Sequence, residues 1–416
     1  MAGEILFIAH RTPFPPDRGD KIRSHNVLKA LAELAPVCVA CLGETDADMA
    51  EERALAEVAT SYCMPRRTKP LPLAGIEALA KGEPISVSAF SNRELHRWVR
   101  ETLASRPIET IYVFSGQMGQ YVPQDWSGRL VVDFVDVDSA KFEAYAPKSG
   151  WPMRWVHARE GKLLRRYEAQ LAVRADCSLL VSEEEAALMR ARCAEARNIG
   201  ALRNGIDCTA FDPAAVHPQA ELAGAEGPQF VFSGQMDYAP NIEAVERFAR
   251  QIMPAIRAQK PNAQFHIVGR APTAAVQKLA AEPGTQVWGE VPDMRPFLAA
   301  ASMVVVPLTI ARGVQNKVLE AMAMGKTVLA SPEALTGIGG CDGEHFLRCD
   351  SDAEFATLAC ALTDDTNRAQ RIGEAARHLV HRKMSWPAMM APLADLVGAT
   401  PESGHGKARS NVRNAA

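Results

Sequence analysis

Met303 to Val306 is an unbroken apolar run of one methionine and three valines stopped by Pro307, the pattern of a strand buried on both faces. From Ser302 to Ser331 the chain reads as strand, open loop, helix and second strand, with its polar residues confined to one edge. The helix is expected to start at Gly313. At 100° per residue Gly313, Asn316, Lys317 and Glu320 share one face, while Val314, Val318, Ala321 and Met322 share another. The second face packs on the sheet, and the first looks along the opening above the strand ends, where open α/β sheets bind ligands. Gly313 permits close backbone approach, and the unpaired N–H groups of a first helical turn can hold a phosphate anion. Lys317 lies one turn further on, and Glu320 is placed to accept hydrogen bonds from sugar hydroxyls. The same spacing also describes a crossover helix whose Lys and Glu are simply solvated, and spacing alone does not choose.

A chain of 416 residues accommodates two domains of ordinary size, each with its own core. With 46 basic against 49 acidic residues the net charge is −3, so no global field favours nucleic acid or an anionic membrane, and any basic site must be local. Nine cysteines, an odd count in a chain of this size, fit reduced thiols in a cytoplasmic compartment, most of them small buried hydrophobes. The opening MAGEILFIAH is too short an apolar run for a signal peptide, and no stretch is long and apolar enough to span a bilayer. The expectation is a soluble chain, peripheral to a membrane at most.

Ile5 to Ala9 reads as a buried strand, followed by a Pro-rich loop and a helix over Asn26 to Leu34. The loop has neither G-x-G-x-x-G nor a Walker sequence, which argues against a dinucleotide dehydrogenase and a P-loop enzyme. Asp20, Lys21 and Arg23 at its end are either a binding cluster or capping and solubility devices. Further strands are expected at Val37–Leu42, Thr110–Phe114 and Leu130–Val135, and helices at Asp48–Ala59 and Asn92–Ala104, with a variable surface insertion or short helices from Pro65 to Ser91. Three carboxylates, Asp133, Asp136 and Asp138, follow the last strand, and Asp136 and Asp138 fall on one side if the chain stays extended. They could form a metal-binding pair, line a substrate pocket as a proton acceptor, or serve structure, with Asp138 or Ser139 capping the next helix. Asp133 reads as structural. A long helix from Trp151 to Asp176 carries Arg154, His157, Arg159, Lys162, Arg165 and Arg166 among tryptophans, a composition compatible with a membrane surface. Cys177 to Val181 is a strand, and Ser182-x-x-Glu185 has the form of a capping box.

Asn204-Gly205 marks a turn, and after a linker Gln229 to Ser233 begins a second α/β series that includes FHIVGR and QVWGEVPDMRPFLAAA. The run GVQNKVLEAMAMGKTVLAS resembles the donor-site helix of family 4 glycosyltransferases of GT-B architecture. Together with P-x-x-x-G-D-K-I-R in the first loop and N-G-I-D at 204–207, it is similar to the sugar transferases associated with exosortase (PEP-CTERM) systems. The family carries two glutamates separated by seven residues on this helix. Glu320 matches the second, which the resemblance assigns to the nucleotide ribose, while Arg312 stands at the first. The family's Gly-Arg and downstream Lys of the diphosphate clamp are also missing, since Gly234-Gln235 occupies that place.

The resemblance implies an α/β chain of two Rossmann-like domains facing a cleft. Residues 1–205 would hold the acceptor, residues 206–384 the nucleotide sugar, residues 385–398 would form a helix returning to the first domain, and 399–416 would be a disordered tail. It further implies a retaining, metal-independent transfer from a nucleotide-diphosphate sugar, a co-substrate rather than a cofactor, to a polysaccharide or lipid-linked glycan in exopolysaccharide synthesis. Donor contacts would come from Gly313, Val314, Asn316, Lys317, Glu320, Arg270 and Arg312, with the backbone of Gly289 to Val291 at the base edge and Asp293 capping the next helix. Lys317 would stabilise the departing diphosphate, and Asp136 or Asp138 would meet the attacking hydroxyl. Gly19, Asp20, Lys21 and Arg23 would lie on the acceptor side. A sugar-nucleotide epimerase of the same architecture, or a non-catalytic nucleotide-sugar or glycan-binding protein, are the alternatives. No metal and no nucleic acid are expected.

Overall fold

The computed structural model describes residues 3–311 and 313–399. The chain divides into two units: one runs to Arg203 and takes in the chain from Met390, and the other is Asn204–Met389. Arg312 and the expected tail from 400 lie outside the described residues.

The first unit contains β1 (Glu4–Ala9), α1 (Gly19–Leu34), β2 (Val37–Ala40), α2 (Asp46–Ala50), α3 (Glu52–Val58), β3 (Ser61–Cys63), α4 (Leu71–Lys81), α5 (Ile85–Ala89) and α6 (Arg93–Ser105). It continues with β4 (Ile108–Phe114), β5 (Arg129–Val135), α7 (Asp138–Tyr145), α8 (Met153–Arg174), β6 (Cys177–Leu180), α9 (Glu183–Arg192) and β7 (Ile199–Ala201). All seven strands are parallel, in the order β3-β2-β1-β4-β5-β6-β7. The strand residues are apolar on both faces because helices cover both, and the order reverses between β1 and β4.

Three local expectations are corrected. Helix α1 begins at Gly19, well before Asn26, because Lys21 and Arg23 turn inward to buried carboxylates. Ser182 accepts from the N–H of Glu185, but the Glu185 carboxylate turns to the N–H of Val137 at 2.7 Å, so the reciprocal half of the box is not made. Neither Asp138 nor Ser139 caps α7: Val137 occupies the cap without a side-chain bond, and the hydroxyl of Ser139 donates to Glu168 at 2.5 Å.

Glu168 is 4% exposed, and burial pushes its carboxyl up to about 7 against hydrogen bonds from Ser139. A folded-state pKa above the ordinary carboxylate value means that the folded chain holds this proton more tightly than the unfolded one. The stability it contributes is full below the unfolded value and is lost as pH rises through about 7. Glu168→Gln is therefore expected to flatten the fall in unfolding free energy between about pH 4.5 and 7, read by urea denaturation across that range.

The second unit contains α10 (Ala220–Ala223), β8 (Gln229–Ser233), α11 (Ala239–Arg247), α12 (Met253–Gln259), β9 (Gln264–Val268), α13 (Ala274–Lys278), β10 (Thr285–Gly289) and α14 (Arg295–Ala300). There follow β11 (Met303–Val306), α15 (Asn316–Ala323), β12 (Val328–Ala330), β13 (Leu347–Arg348), α16 (Asp352–Asp364) and α17 (Thr366–Lys383). Its six strands are parallel, in the order β10-β9-β8-β11-β12-β13, and reverse between β8 and β11. The Asn204-Gly205 turn lies against Trp386, where a Cβ on Gly205 would come within 2.4 Å of the Trp386 nitrogen. The single closing helix expected from Trp386 is two short ones, α18 (Trp386–Met390) and α19 (Leu393–Leu396), because Pro392 cannot continue the first.

Candidate functional site

In the second unit the crevice at the β8/β11 reversal is built from three backbone exits. Gly234 follows β8 with φ +157°, Gly269 follows β9 with φ +156°, and the loop after β11 leads into α15. A Cβ on Gly269 would lie 1.6 Å from the Gly234 carbonyl oxygen, so only glycine lets these two exits meet. Above Gly234 sits the Lys317 ammonium, 3.0 Å from where a Cβ would be.

Lys317 Nζ donates to Asn241 Oδ1 at 2.6 Å and lies 4.2 Å from the centroid of the Phe232 ring. Asn241 is held in turn by its Nδ2, which donates to the Gln235 carbonyl at 2.9 Å. Burial pushes Lys317 down to about 8, with Glu320 opposing the shift, and burial raises Glu320 while Lys317 opposes. A cation half-buried against a neutral amide and an aromatic face is under-compensated, and an anion entering the crevice would be attracted to it.

The helix that carries Lys317 starts later than the spacing implied. Gly313 is left-handed with φ +64°, Gln315 is extended, and α15 begins at Asn316 without a side-chain cap. Gly313 therefore belongs to the entering loop, and the first-turn N–H groups are those of Asn316 and Lys317. Asn316 is exposed, whereas Val314 is half-buried and packs against the core. Arg270 is exposed, and its Nη2 donates to Gln235 Oε1 at 3.0 Å, beside the same crevice. Gly289 ends β10 with φ +72°, and Val291 is half-buried against the core. Asp293 accepts the Arg295 N–H at 2.9 Å at the start of α14. Asn241 and Phe232 were missed as Lys317 partners; their position at and after β8, the strand beside the reversal, was the available signal.

In the first unit the charged loop residues separate. Lys21 is 1% exposed and donates to Asp48 at 2.7 Å. Arg23 is fully buried and makes two bonds of 3.0 Å to the Asp133 carboxylate, which also accepts from the Tyr112 hydroxyl at 3.0 Å. Both are thus removed from the acceptor-side cluster, because a side chain sealed in the core cannot meet a sugar. Asp133 is a buried structural group. Gly19 has open space where its Cβ would be. Asp20 remains part-exposed; burial would raise it, but His10 at 3.2 Å and Arg11 at 2.8 Å hold its carboxyl well below the usual range.

Asp136 and Asp138 converge on one ammonium, Lys141 Nζ, at 2.8 and 3.0 Å. They come together because the chain bends at Val135, φ +69°, and enters α7, not because strand alternation continues. A cation could bridge these two carboxylates only by displacing Lys141. Among the described residues one other set of ligand types lies close, Cys341, Glu344 and His345, but His345 Nδ1 already accepts the Cys341 N–H at 3.1 Å.

Residues 227–365 match the family model described as glycosyl transferases group 1. No curated protein sequence matches the chain. Among solved structures the chain is similar to a sucrose-phosphate synthase from Thermosynechococcus elongatus, at 19% identity and TM-score 0.58, over 95% of this chain and 98% of that one. A glycosyltransferase from Rickettsia africae ESF-5 matches at 14% identity and TM-score 0.60, over 97% and 100%. Anabaena Alr3699/HepE in complex with UDP and glucose matches at 14% and 0.56, over 96% and 100%. Likeness at these identities speaks to the fold, and the family model speaks to the segment that contains the Lys317 crevice. The chain therefore shares the two-sheet α/β fold of these structures, and residues 227–365 of its second unit are similar to glycosyl transferases group 1.

Proposed function

We propose that the protein moves a sugar from a nucleotide-diphosphate sugar to a hydroxyl of a polysaccharide or lipid-linked glycan. The observation that carries this is the Lys317 ammonium, half-buried at the β8/β11 reversal with an amide and an aromatic ring as partners. The diphosphate would neutralise it, aided by the Asn316 and Lys317 N–H groups, while Arg270 reaches a phosphate from the rim. Glu320 would accept from the ribose, and the backbone of Gly289 to Val291 would meet the base. Uridine is the first base to try, because a similar structure holds UDP and glucose.

As the bond to the departing diphosphate breaks, negative charge grows on the phosphate oxygens facing Lys317 and the α15 terminus, where fixed donors stabilise it most. With the leaving group stabilised in this way, a retaining transfer without a metal ion is the chemistry we assign. Asp136 and Asp138 would meet the acceptor hydroxyl on the first unit. The resemblance of the first loop to exosortase-associated transferases supports a role in exopolysaccharide synthesis, at the cytoplasmic side and peripheral to the membrane.

Calorimetric titration with a panel of nucleoside diphosphates, first without metal and then with Mg²⁺, tests the donor site. One nucleotide is expected to bind without metal, and Glu320→Ala is expected to weaken it by about 1–3 kcal/mol, the loss of a charged hydrogen bond. Failure of every nucleotide, or an unchanged affinity in the variant, would remove the assignment. The anomeric configuration of the product, read by NMR coupling constants, tests retention.

A further inference from the structure

Helix α4 is amphipathic in the reverse sense for a helix on a globular surface. Its small residues Ala74 and Ala78 are fully buried, whereas Ile76 is 66% exposed, Leu79 53% and Leu73 47%. At 100° per residue Leu73, Ile76 and Leu79 lie on the arc opposite Ala74 and Ala78, and Leu71 at the helix entry is also exposed. A contiguous set of large apolar side chains held in water marks an interaction surface.

The start of α8 extends this surface. Arg159 donates from Nη2 to the Ala78 carbonyl at 2.9 Å, and Glu160 accepts the N–H groups of Ile85 and Ser86 at 2.7 and 2.8 Å, which ties α4, α5 and α8 together. One turn before Arg159 stands Trp155, 55% exposed, and just ahead of the helix Trp151, 88% exposed. Trp155, Arg159, Lys162 and Arg166 share one helix face. Between Arg154 and Arg166 the charged residues are five cations and Glu160, whose carboxylate is occupied by α5.

We propose that α4 and the start of α8 form one docking face for a bilayer surface that carries anionic head groups. Leu73, Ile76, Leu79 and the two tryptophans would enter the boundary between head groups and acyl chains, and Lys162 and Arg166 would meet lipid phosphates. Tryptophan beside cations suits that boundary, where one end of the ring is apolar and the other wet. Charge argues for lipid over a second copy of the chain, since a two-fold pairing would set these cations against their own equivalents. No described helix is long and apolar enough to cross the bilayer, so the contact is peripheral. The inference does not depend on the donor-site reading, whose residues lie in the other unit.

Co-sedimentation of the full chain with vesicles of phosphatidylcholine, alone and mixed with phosphatidylglycerol, tests it. Wild type is expected to partition into the mixed vesicles at least about tenfold more strongly than into the neutral ones, with blue-shifted tryptophan emission. Ile76→Ser/Leu79→Ser is expected to lower that partitioning by about tenfold or more, and Lys162→Glu/Arg166→Glu to reduce it to the neutral-vesicle level. Circular dichroism and nucleotide affinity should match wild type in both variants, since the altered side chains are exposed. Absence of binding to the mixed vesicles, or variants that bind like wild type, would overturn the proposal. A dimer in light scattering that Ile76→Ser/Leu79→Ser dissociates, without vesicle binding, would assign the face to a second copy instead.

Discussion

Lys317→Ala is expected to reduce transfer by about 10²–10³-fold, the usual effect of removing one donor that stabilises growing negative charge. The same substitution should not destabilise the chain, because the ammonium is desolvated against Asn241 and Phe232 and bonded to no carboxylate. Loss of activity with an unchanged or raised melting temperature therefore separates a functional lysine from a structural one. The pH dependence adds a second signature. Burial depresses the folded-state pKa to about 8, below the ordinary lysine value, so the folded chain releases this proton before the unfolded chain does. Unfolding free energy is expected to rise with pH from about 8 towards 10.5, as the cost of burying a charge disappears, and Lys317→Ala should lack this rise. Affinity for a nucleoside diphosphate should move oppositely, falling as pH passes 8 and the lysine loses its charge. Denaturation and titration series across that window check both signs.

Arg23→Ala is expected to cost about 3–5 kcal/mol of stability, because it leaves the Asp133 carboxylate charged and unpaired in a fully buried position. The Tyr112 hydroxyl and the Val135 N–H, at 3.0 and 3.2 Å, are neutral donors and do not balance its charge. Replacing both charges, as in Arg23→Met/Asp133→Leu, should recover much of that loss, since a well-packed apolar pair carries no desolvation penalty. Guanidinium denaturation of the single and double variants measures this coupling. An acceptor-side role for Arg23 would instead leave stability near wild type in the single variant and lower activity alone.

The central strands of the two sheets were legible because each is an apolar run with its own boundaries, whereas the edge strands Ser61–Cys63, Ile199–Ala201, Thr285–Gly289 and Leu347–Arg348, short or partly polar, were not. Gln229–Ser233 and Met303–Val306 have the same limits in the sequence reading and in the structure. Lys317 and Glu320 were legible as a pair one turn apart on a helix between two such strands. The start of that helix was not, because Gly313, Val314 and Gln315 satisfy helical periodicity while the backbone at Gly313 is left-handed. Arg23 and Lys21 read as surface charges for a related reason: their burial depends on Asp133 and Asp48, distant in sequence, and pattern within one helix carries no information about them. The exposed face of α4 was hidden in an irregular Pro-rich stretch, where the orientation of the helix could not be anticipated.

What the sequence by itself determined is therefore the central strands, the turn at Asn204-Gly205 and the candidate anion-binding helix, since these rest on periodicity and on residues that terminate elements locally. The tertiary structure alone decided which charges are functional candidates and which are internal. It seated Lys317 over Gly234 beside Asn241 and Phe232, and closed Arg23 on Asp133. The physical reason is that the free energy of a charge is set by its desolvation and its partners, and both are properties of packing between segments far apart in the chain.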